Sequence, residues 1–278
     1  MSKRFEGMVA VVTGAGGGLG RASAHRLASE GAHIVVVDIN AETAAEVASS
    51  LPTESISVQC DVSSEKDVER YMSEALKKFK KIDLYHLNAG IFGSFETLPN
   101  ISVDDFDRVM NVNIRGQFLG LRSAFRQYAA QKSTGAIVVT ASIASLTGSA
   151  DLLPYVTSKH GVVGLIHGCA MYGGPIGIRV NGVAPGIVPT DLFAAAATNT
   201  GGKNDMERRA ATTPLRRAGS PEEIAGVVAF LLSEDSSYMT GQVVSADGGA
   251  TIVNTVRPSG GAGAWDTAVV DNAMYQSK

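Results

Sequence analysis

Residues 8–12 form the first apolar run of the chain, and they are followed directly by Thr13-Gly14-Ala15-Gly16-Gly17-Gly18-Leu19-Gly20. Glycines at this density let the backbone turn tightly and approach a pyrophosphate without a Cβ atom in the way. A helical pattern begins at Gly20, and the free N–H groups at its start would point at that anion. Glycine also suits a plain strand-to-helix turn, but a place between the first strand and the first helix is what a dinucleotide site requires. The stretch therefore predicts nucleotide binding by Gly14, Gly16, Gly17, Gly18, Leu19 and Gly20.

Short β-branched runs alternate with longer helical patterns as far as residue 247. Such alternation implies right-handed crossovers and a parallel sheet, and helices on both faces make that sheet doubly wound. We predict an α/β fold with one Rossmann-type sheet of about seven strands over residues 1–250 and a C-terminal extension over residues 251–278. The predicted strands are 8–12, 34–37, 56–60, 82–87, 136–140, 179–183 and 243–246, and the predicted helices are 20–30, 41–50, 64–79, 103–131, 154–171 and 221–232.

Two stretches interrupt this alternation, residues 185–220 and the tail from residue 251. A long connection without secondary structure is typical of a lid or binding loop, so we interpret residues 186–220 as a substrate loop. The tail contains Trp265 and Tyr275, and we expect it to cover the mouth of the active site or a neighbouring subunit. We interpret Arg208, Arg209, Arg216 and Arg217 as a solvated basic face, with reception of an anionic substrate or carrier protein as the alternative.

Asp38 ends the second predicted strand, about 20 residues after the glycines, where a carboxylate can accept hydrogen bonds from the adenosine ribose. It would repel the extra phosphate of NADP, and no Arg or Lys lies among the glycines or just after it to offset that charge. The alternative is that Asp38 caps the helix beginning near Ala41, but Asn40 can serve as that cap. We therefore predict NAD as the cofactor, with Asp38 and Ile39 at its adenosine end.

Tyr155 and Lys159 lie four residues apart at the head of a predicted helix, so their side chains share one face. Ser142 follows the fifth predicted strand, at the carboxyl edge where open α/β sheets bind ligands. A phenol has a pKa of about 10, and we expect the nearby lysine ammonium to lower it. Tyr155 could then exchange a proton with an alcohol or ketone while Ser142 hydrogen-bonds the substrate oxygen.

Further motifs follow in order along the chain: Asp61-Val62, Asn88-Ala89-Gly90, Asn113, Asn181, Pro185-Gly186 with Thr190, and Asp247-Gly248-Gly249. Together with the glycine segment, Ser142, Tyr155 and Lys159, they resemble the short-chain dehydrogenase/reductase family. The resemblance covers nearly the whole chain apart from the tail. It implies an oxidoreductase that uses NAD(H) or NADP(H), catalysis without a metal, and a homo-oligomer, with a tetramer built on the long helices favoured.

The same resemblance implies roles for individual residues. Asp61 and Val62 would contact the adenine, and Asn88 would secure the central strand beside the cofactor. Asn113 would kink the long helix and hold a water that links Lys159 to solvent. The implied catalytic set is Asn113, Ser142, Tyr155 and Lys159, and the implied cofactor-binding set beyond the glycines is Asp38, Ile39, Asp61, Val62, Asn88, Ala89, Gly90, Tyr155, Lys159, Pro185, Gly186, Val188 and Thr190.

The expected substrate pocket is mostly apolar, which suits a hydrophobic or alicyclic secondary alcohol, a diol or the matching ketone. Reduction of 3-oxoacyl groups on a carrier protein is one alternative, against which Asp38 argues because biosynthetic reduction draws on NADPH. A nucleotide-sensing protein without turnover is another, against which the intact Ser142, Tyr155 and Lys159 argue. The pocket residues expected are Ser94, Phe95, Ser142, Ile143, Leu153, Leu192 and Phe193.

The bulk composition excludes several classes of protein. A formal net charge of -3 argues against a nucleic-acid or anionic-membrane surface, since both need a basic face. No apolar run is long enough to span a bilayer, and the first residues carry no secretory signal pattern. Cys60 and Cys169 are too few for a disulfide framework and lack metal-ligand spacing. We expect a cytoplasmic enzyme that acts on small molecules.

Overall fold

The computed structural model describes residues 3–190 and 206–275. Its centre is a seven-stranded sheet of order β3-β2-β1-β4-β5-β6-β7. Every neighbouring pair of these strands is parallel, so the predicted doubly wound parallel sheet is confirmed. The strands are β1 (Val9–Thr13), β2 (His33–Asp38), β3 (Ser55–Gln59), β4 (Leu84–Leu87), β5 (Gly135–Thr140), β6 (Ile178–Pro185) and β7 (Val243–Ala246).

Helices cover both faces of the sheet. In the described ranges they are α1 (Gly18–Ser29), α2 (Ala41–Ser50), α3 (Glu65–Phe79), α4 (Val103–Met110), α5 (Gly116–Gln131), α6 (Leu153–Gly173), α7 (Met206–Ala211), α8 (Pro221–Leu232) and α9 (Thr267–Tyr275). The strands and the helices up to α6 begin and end within a residue or two of their predicted bounds, apart from the long fourth helix. None of the helices in these ranges has the length and apolar character needed to cross a membrane.

The sheet separates two hydrophobic cores. Val11 belongs to the core that α3, α5 and α6 cover, whereas its neighbours Ala10 and Val12 belong to the core under α1, α2 and α8. Successive side chains of a strand point to opposite faces, so an all-apolar strand serves both cores at once. All five residues of β1 are buried for this reason.

The helix predicted over residues 103–131 is interrupted by one π-helical turn, Asn111–Arg115, between α4 and α5. A π turn inserts one extra residue into a helix and is often found at functional sites. This turn contains Asn113, which is fully buried. The interruption therefore occurs at the residue for which a kink was expected.

The strand order reverses at β1, which lies between β2 and β4. The connections that follow the strands on either side of such a switch point run in opposite directions. A crevice therefore remains between them at the carboxyl ends of the strands. The loops that follow β1, β2, β4, β5 and β6 meet at this edge. The fold thereby brings residues distant in sequence to one cleft.

The described part of the tail packs on the segment that precedes α8. The Gly263 N–H donates to the Thr212 carbonyl at 2.8 Å, and the Arg216 guanidinium pairs with Asp271 at 2.8 Å. The Arg208 guanidinium lies 4.8 Å from the centre of the Trp265 ring. The interpretation as a solvated face is therefore wrong for Arg216, which is partly buried and holds the tail, whereas Arg208 is exposed and contacts Trp265 from the surface.

Candidate active site

The glycine loop after β1 is shaped by close approach of backbone to backbone. Gly14 has a φ of +62°, and a Cβ atom there would lie 2.9 Å from the Ala89 Cα. A Cβ atom on Gly20 would lie 2.1 Å from the Gly14 carbonyl oxygen, closer than any real side chain comes. Gly14, Gly17, Gly18 and Leu19 line the cleft, while Gly16 and Gly20 do not. Gly20 therefore shapes the loop by packing against Gly14 and does not itself line the cleft.

Asp38 is tied to the glycine loop. Its carboxylate accepts hydrogen bonds from the N–H of Gly16 at 2.8 Å and from the N–H of Asn40 at 3.0 Å. The cap of α2 is Asn40, whose side chain accepts from Glu42 and Thr43 main-chain N–H groups. Asp38 is therefore not needed as a cap, and it lines the cleft beside the exposed Ile39.

Asn88 joins β4 to the glycine loop. Its side-chain Nδ2 donates to the carbonyl oxygens of Thr13 at 3.1 Å and Gly14 at 3.2 Å. Its main-chain N–H donates to the Thr13 hydroxyl at 2.9 Å, and the following Ala89 N–H reaches the same oxygen at 3.2 Å. Asn88, Ala89 and Gly90 all line the cleft, as expected for the cofactor side.

The remaining candidates for cofactor binding come from the loops after β3 and β6. Asp61 and Val62 line the cleft. The Asp61 carboxylate also accepts a hydrogen bond from the Ser63 hydroxyl, with 2.7 Å between the two oxygens. The segment after β6 contributes its backbone turn to the same cleft. Its lining residues are Pro185, Gly186, Ile187, Val188 and Thr190.

Tyr155, Lys159 and Ser142 come together at the head of α6. Tyr155 and Ser142 are each 8% exposed, and Lys159 is 2% exposed. The Lys159 Nζ donates to the Thr140 carbonyl at 2.7 Å and lies 5.6 Å from the centre of the Tyr155 ring. All three side chains line the cleft that the glycine loop lines, so one cavity of about 400 Å³ contains both groups of predicted residues.

Burial dominates the protonation of this pair. It raises the pKa of Tyr155 to about 12, although a hydrogen bond with Ser142 acts in the opposite direction. It also lowers the pKa of Lys159 to about 8, since an ammonium loses its hydration inside the protein. The predicted lowering of the phenol pKa is therefore wrong for the protein alone, because the sequence does not show how deeply the ring is buried.

Asn113 does not line the cleft but supports it from the π turn. Its Oδ1 accepts the Ile91 N–H at 2.9 Å, and its Nδ2 donates to the Ile91 carbonyl at 2.8 Å. The same Nδ2 donates to the Ser158 hydroxyl at 2.9 Å, next in sequence to Lys159. Asn113 thus fastens the loop after β4 to the helix that carries the catalytic candidates.

An apolar wall stands beside the Tyr155 ring. The Phe92 ring centre lies 4.6 Å from that of Tyr155 and 5.9 Å from that of Phe95. Phe92 is not among the predicted pocket residues, although it lies only two residues after Gly90 in the loop that follows β4. The other lining residues that were not predicted as site residues are Cys60, Ile91, Val112, Thr140, Ala141, Ala144, Leu152 and Arg209.

Not every predicted pocket residue lies on this wall. Phe95 and Ile143 line the cleft, but Ser94 and Leu153 do not. The Ser94 N–H donates to Asp105 at 2.8 Å, which turns that part of the loop toward α4. At the start of α6, Leu152 takes the place expected for Leu153. Two further predicted pocket residues, Leu192 and Phe193, lie outside the described residues.

The family model described as enoyl-(acyl carrier protein) reductase matches residues 14–251. Levodione reductase of Leifsonia aquatica is 39% identical over 88% of this chain and 95% of its own length. Cyclohexanol dehydrogenase of Acinetobacter sp. (strain SE19) is 36% identical over 90% and 98% of the two chains. The crystal structure of NAD⁺-bound xylitol dehydrogenase superposes with a TM-score of 0.84 at 37% identity, over 88% of this chain and 100% of its own. The chain is an oxidoreductase and belongs to the short-chain dehydrogenase/reductase family.

Proposed function

We propose that this chain interconverts a secondary alcohol and a ketone with NAD as the cofactor. The observation that carries the proposal is a single cleft in which Tyr155, Lys159 and Ser142 share walls with the glycine loop. A phenol, a hydroxyl and an ammonium at one end of a dinucleotide crevice are the groups that this chemistry needs. The relatives named above as a reductase and a dehydrogenase support the same reaction class.

In this mechanism each side chain handles one part of the reaction. When bound, NAD supplies the hydride acceptor in oxidation or the donor in reduction, and its oxidised ring adds a positive charge that favours the phenolate. The Tyr155 Oη takes the proton of an alcohol or gives its own to a ketone oxygen. The Ser142 hydroxyl hydrogen-bonds that oxygen and holds it beside the phenol. Lys159, fixed on the Thr140 carbonyl, provides positive charge near the ring.

Asp38 supports the choice of NAD over NADP. Its carboxylate lies at the end of β2 on the wall of the cleft, where the adenosine ribose would be held. A phosphate on the ribose 2′ oxygen would meet that negative charge. Among the described lining residues the cationic ones are Lys159 and Arg209, and neither belongs to the loop after β2.

The apolar wall supports a hydrophobic or alicyclic substrate. Phe92, Phe95 and Leu152 offer carbon surface beside Tyr155, so a compact ring or branched alcohol would bury apolar area there. The names of two relatives, cyclohexanol dehydrogenase and levodione reductase, agree with this class of substrate. We propose that the enzyme accepts alicyclic secondary alcohols or diols and the corresponding ketones.

The test is a panel of secondary alcohols, with cyclohexanol, a 2,3-diol and a linear alcohol, followed by NADH absorbance in matched series with NAD and NADP. We expect turnover with at least one cyclic or vicinal substrate and a preference for NAD of about tenfold, or 1.4 kcal/mol. Asp38→Ala should reduce that preference, and Glu74→Ala, which removes an exposed carboxylate of α3 that does not line the cleft, serves as the control. Better turnover with NADP than with NAD would overturn the proposed cofactor preference. Absence of turnover with every alcohol of the panel would overturn the proposed reaction.

A second candidate is reduction of a 3-oxoacyl thioester on a carrier protein. The acyl carrier protein named in the description of the matching family model and the presence of Arg209 in the cleft favour a substrate on a carrier protein. Asp38 opposes it for the reason given above. A 3-oxoacyl thioester tested with NADH and with NADPH beside the alcohol panel separates the two candidates by their relative kcat/KM.

We also propose a cytoplasmic homotetramer built on α4 and α5. Two large apolar side chains on these helices, Val103 and Phe118, are 74% and 45% exposed in the single chain, which suits a surface that a second copy covers. Both cysteines, Cys60 and Cys169, are unpaired, as in proteins of reducing compartments. Light scattering on the purified chain gives the assembly state directly, and a monomer would contradict the proposed tetramer.

A further inference from the structure

A chain of buried polar side chains runs beneath the cleft between β4 and β5. His86 is fully buried, and its Nε2 lies 2.9 Å from the Thr140 hydroxyl oxygen. His86 pairs in register with Val138, so Thr140, two residues farther along β5, faces the same side of the sheet. Asn88 stands two residues after His86. The three polar side chains therefore meet at the carboxyl end of the two strands.

The direction of each hydrogen bond follows from counting protons. The Thr140 hydroxyl donates its only proton to the Asn88 Oδ1 at 3.0 Å. It must then accept from His86, which requires the histidine proton on Nε2. The His86 Nδ1 finds no partner among the described residues, and burial lowers the pKa of His86 to about 3. A neutral imidazole with its proton on Nε2 satisfies all of these observations.

The same chain fixes the amide of Asn88. Because Oδ1 accepts the Thr140 proton, Nδ2 faces the carbonyl oxygens of Thr13 and Gly14. A flipped amide would turn Oδ1 against these two carbonyls and leave the Thr140 proton facing an NH₂ group. The main-chain carbonyl of Thr140 holds Lys159 at the same time. One threonine thereby connects the glycine loop with the lysine of the catalytic group.

We propose that His86 is a positioning residue for the cofactor cradle, whose Nε2–H directs the Thr140 hydroxyl to Asn88 and so holds the glycine loop against β4. His86 itself does not line the cleft, and it acts through Thr140 and Asn88. The inference rests on the proposed function where cofactor affinity is the readout. The protonation state of His86 can be measured without any cofactor.

The first test is ¹⁵N NMR of the histidine side chains in the full chain, which contains five histidines. The signal that disappears in His86→Gln identifies His86. We expect a proton on Nε2, none on Nδ1, and no titration between pH 5 and pH 9. A proton on Nδ1, or titration within that range, would overturn the inference whether or not the chain binds NAD.

The second test compares two replacements of His86 by NADH fluorescence titration. Gln places an amide N–H near the position of Nε2, whereas Leu removes the donor, so His86→Leu should raise the Kd for NADH about fivefold and His86→Gln should stay within about twofold. The exposed His167→Leu is the control and should keep the wild-type Kd. The midpoints of the pH–rate profile should not move in His86→Gln, since the imidazole exchanges no proton with substrate.

The outcomes are distinguishable from failure of the proposed function. If the wild-type chain does not bind NADH, the proposed function fails, while NMR still decides the state of His86. If the wild type binds and the Leu and Gln variants have equal Kd values, the positioning role is wrong. A Leu variant that does not fold leaves the decision to the Gln variant, whose affinity and pH midpoints must match the wild type, and to NMR.

Discussion

The two ends of the cleft are built in different ways. At the glycine end the contacts are between main-chain atoms, and a Cβ atom on Gly20 would lie 2.1 Å from a carbonyl oxygen. At the Phe92 end the surface is made of side chains, with aromatic rings 4.6 to 5.9 Å apart. Main-chain contacts cannot be changed by substitution without moving the backbone, whereas side chains can be exchanged one at a time. The cofactor end is therefore the constant part of the cleft and the substrate end the adjustable part.

The largest effect is expected at Tyr155, whose ring packs against Phe92. Tyr155→Phe removes the proposed acid/base hydroxyl and keeps the ring against Phe92, so kcat should fall about 1000-fold while the Kd for NADH changes little. Stopped-flow turnover and NADH fluorescence measure the two quantities separately. The control is Tyr85→Phe, since Tyr85 is a buried tyrosine on β4 whose hydroxyl donates a hydrogen bond to the Met72 sulfur at 3.9 Å and does not line the cleft. Full turnover in Tyr155→Phe would contradict the acid/base role proposed for Tyr155.

A methyl group on the glycine loop should have the next largest effect. In Gly20→Ala the Gly14 carbonyl must move, so we expect the Kd for NADH to rise about 100-fold or more, or the chain to lose its stable fold. Gly164→Ala in α6 is the matched control, since nothing lies within 4 Å of its Cβ position. That control should gain up to about 1 kcal/mol of stability because alanine favours the helix. Wild-type affinity in Gly20→Ala would show that the loop yields more easily than its contacts indicate.

The same contrast explains what the sequence could predict. Gly14, Asp38 and Tyr155 were found because their chemistry depends on short-range spacing at a strand end or helix start, which the order of residues records. Phe92 and Leu152 were missed because their place on the wall depends on how two loops pack, and an apolar residue in a loop has no distinctive spacing. The predicted direction of the Tyr155 pKa shift was wrong for the same reason, since burial is a tertiary property.

Lys159 is buried beside the Tyr155 ring, and this burial predicts that the free energy of unfolding depends on pH. Its pKa falls from 10.5 in the unfolded chain to about 8 in the folded protein, so between these values only the unfolded chain binds the proton. Stability from this site therefore rises with pH over that interval. The free energy of unfolding of the wild type minus that of Lys159→Met should increase by about 1 kcal/mol per pH unit from pH 8 to pH 10. Urea denaturation measures it, and parallel curves for the two proteins would contradict the buried, deprotonating lysine.

The smallest effect is expected at the tail, whose described residues pack on α7 and on the segment between α7 and α8. Arg216 pairs with Asp271 and also donates to the Gly260 carbonyl, so the tail holds the segment that carries α7 and Arg209. The pair is partly exposed, and such pairs contribute about 0.5 kcal/mol. Arg216→Ala should thus raise the KM for the alcohol about two- to threefold and leave the KM for NAD unchanged.

Arg217→Ala is the control for Arg216→Ala, because it breaks a similar pair with Glu223 on the outer surface of α8. Ending the chain after Thr251 removes every tail contact at once and should give a larger change of the same kind. If the KM for NAD rose in parallel with that for the alcohol, the tail would support the whole cleft. The division into a constant and an adjustable end would then be wrong, since a change confined to side-chain contacts would have reached the main-chain cradle.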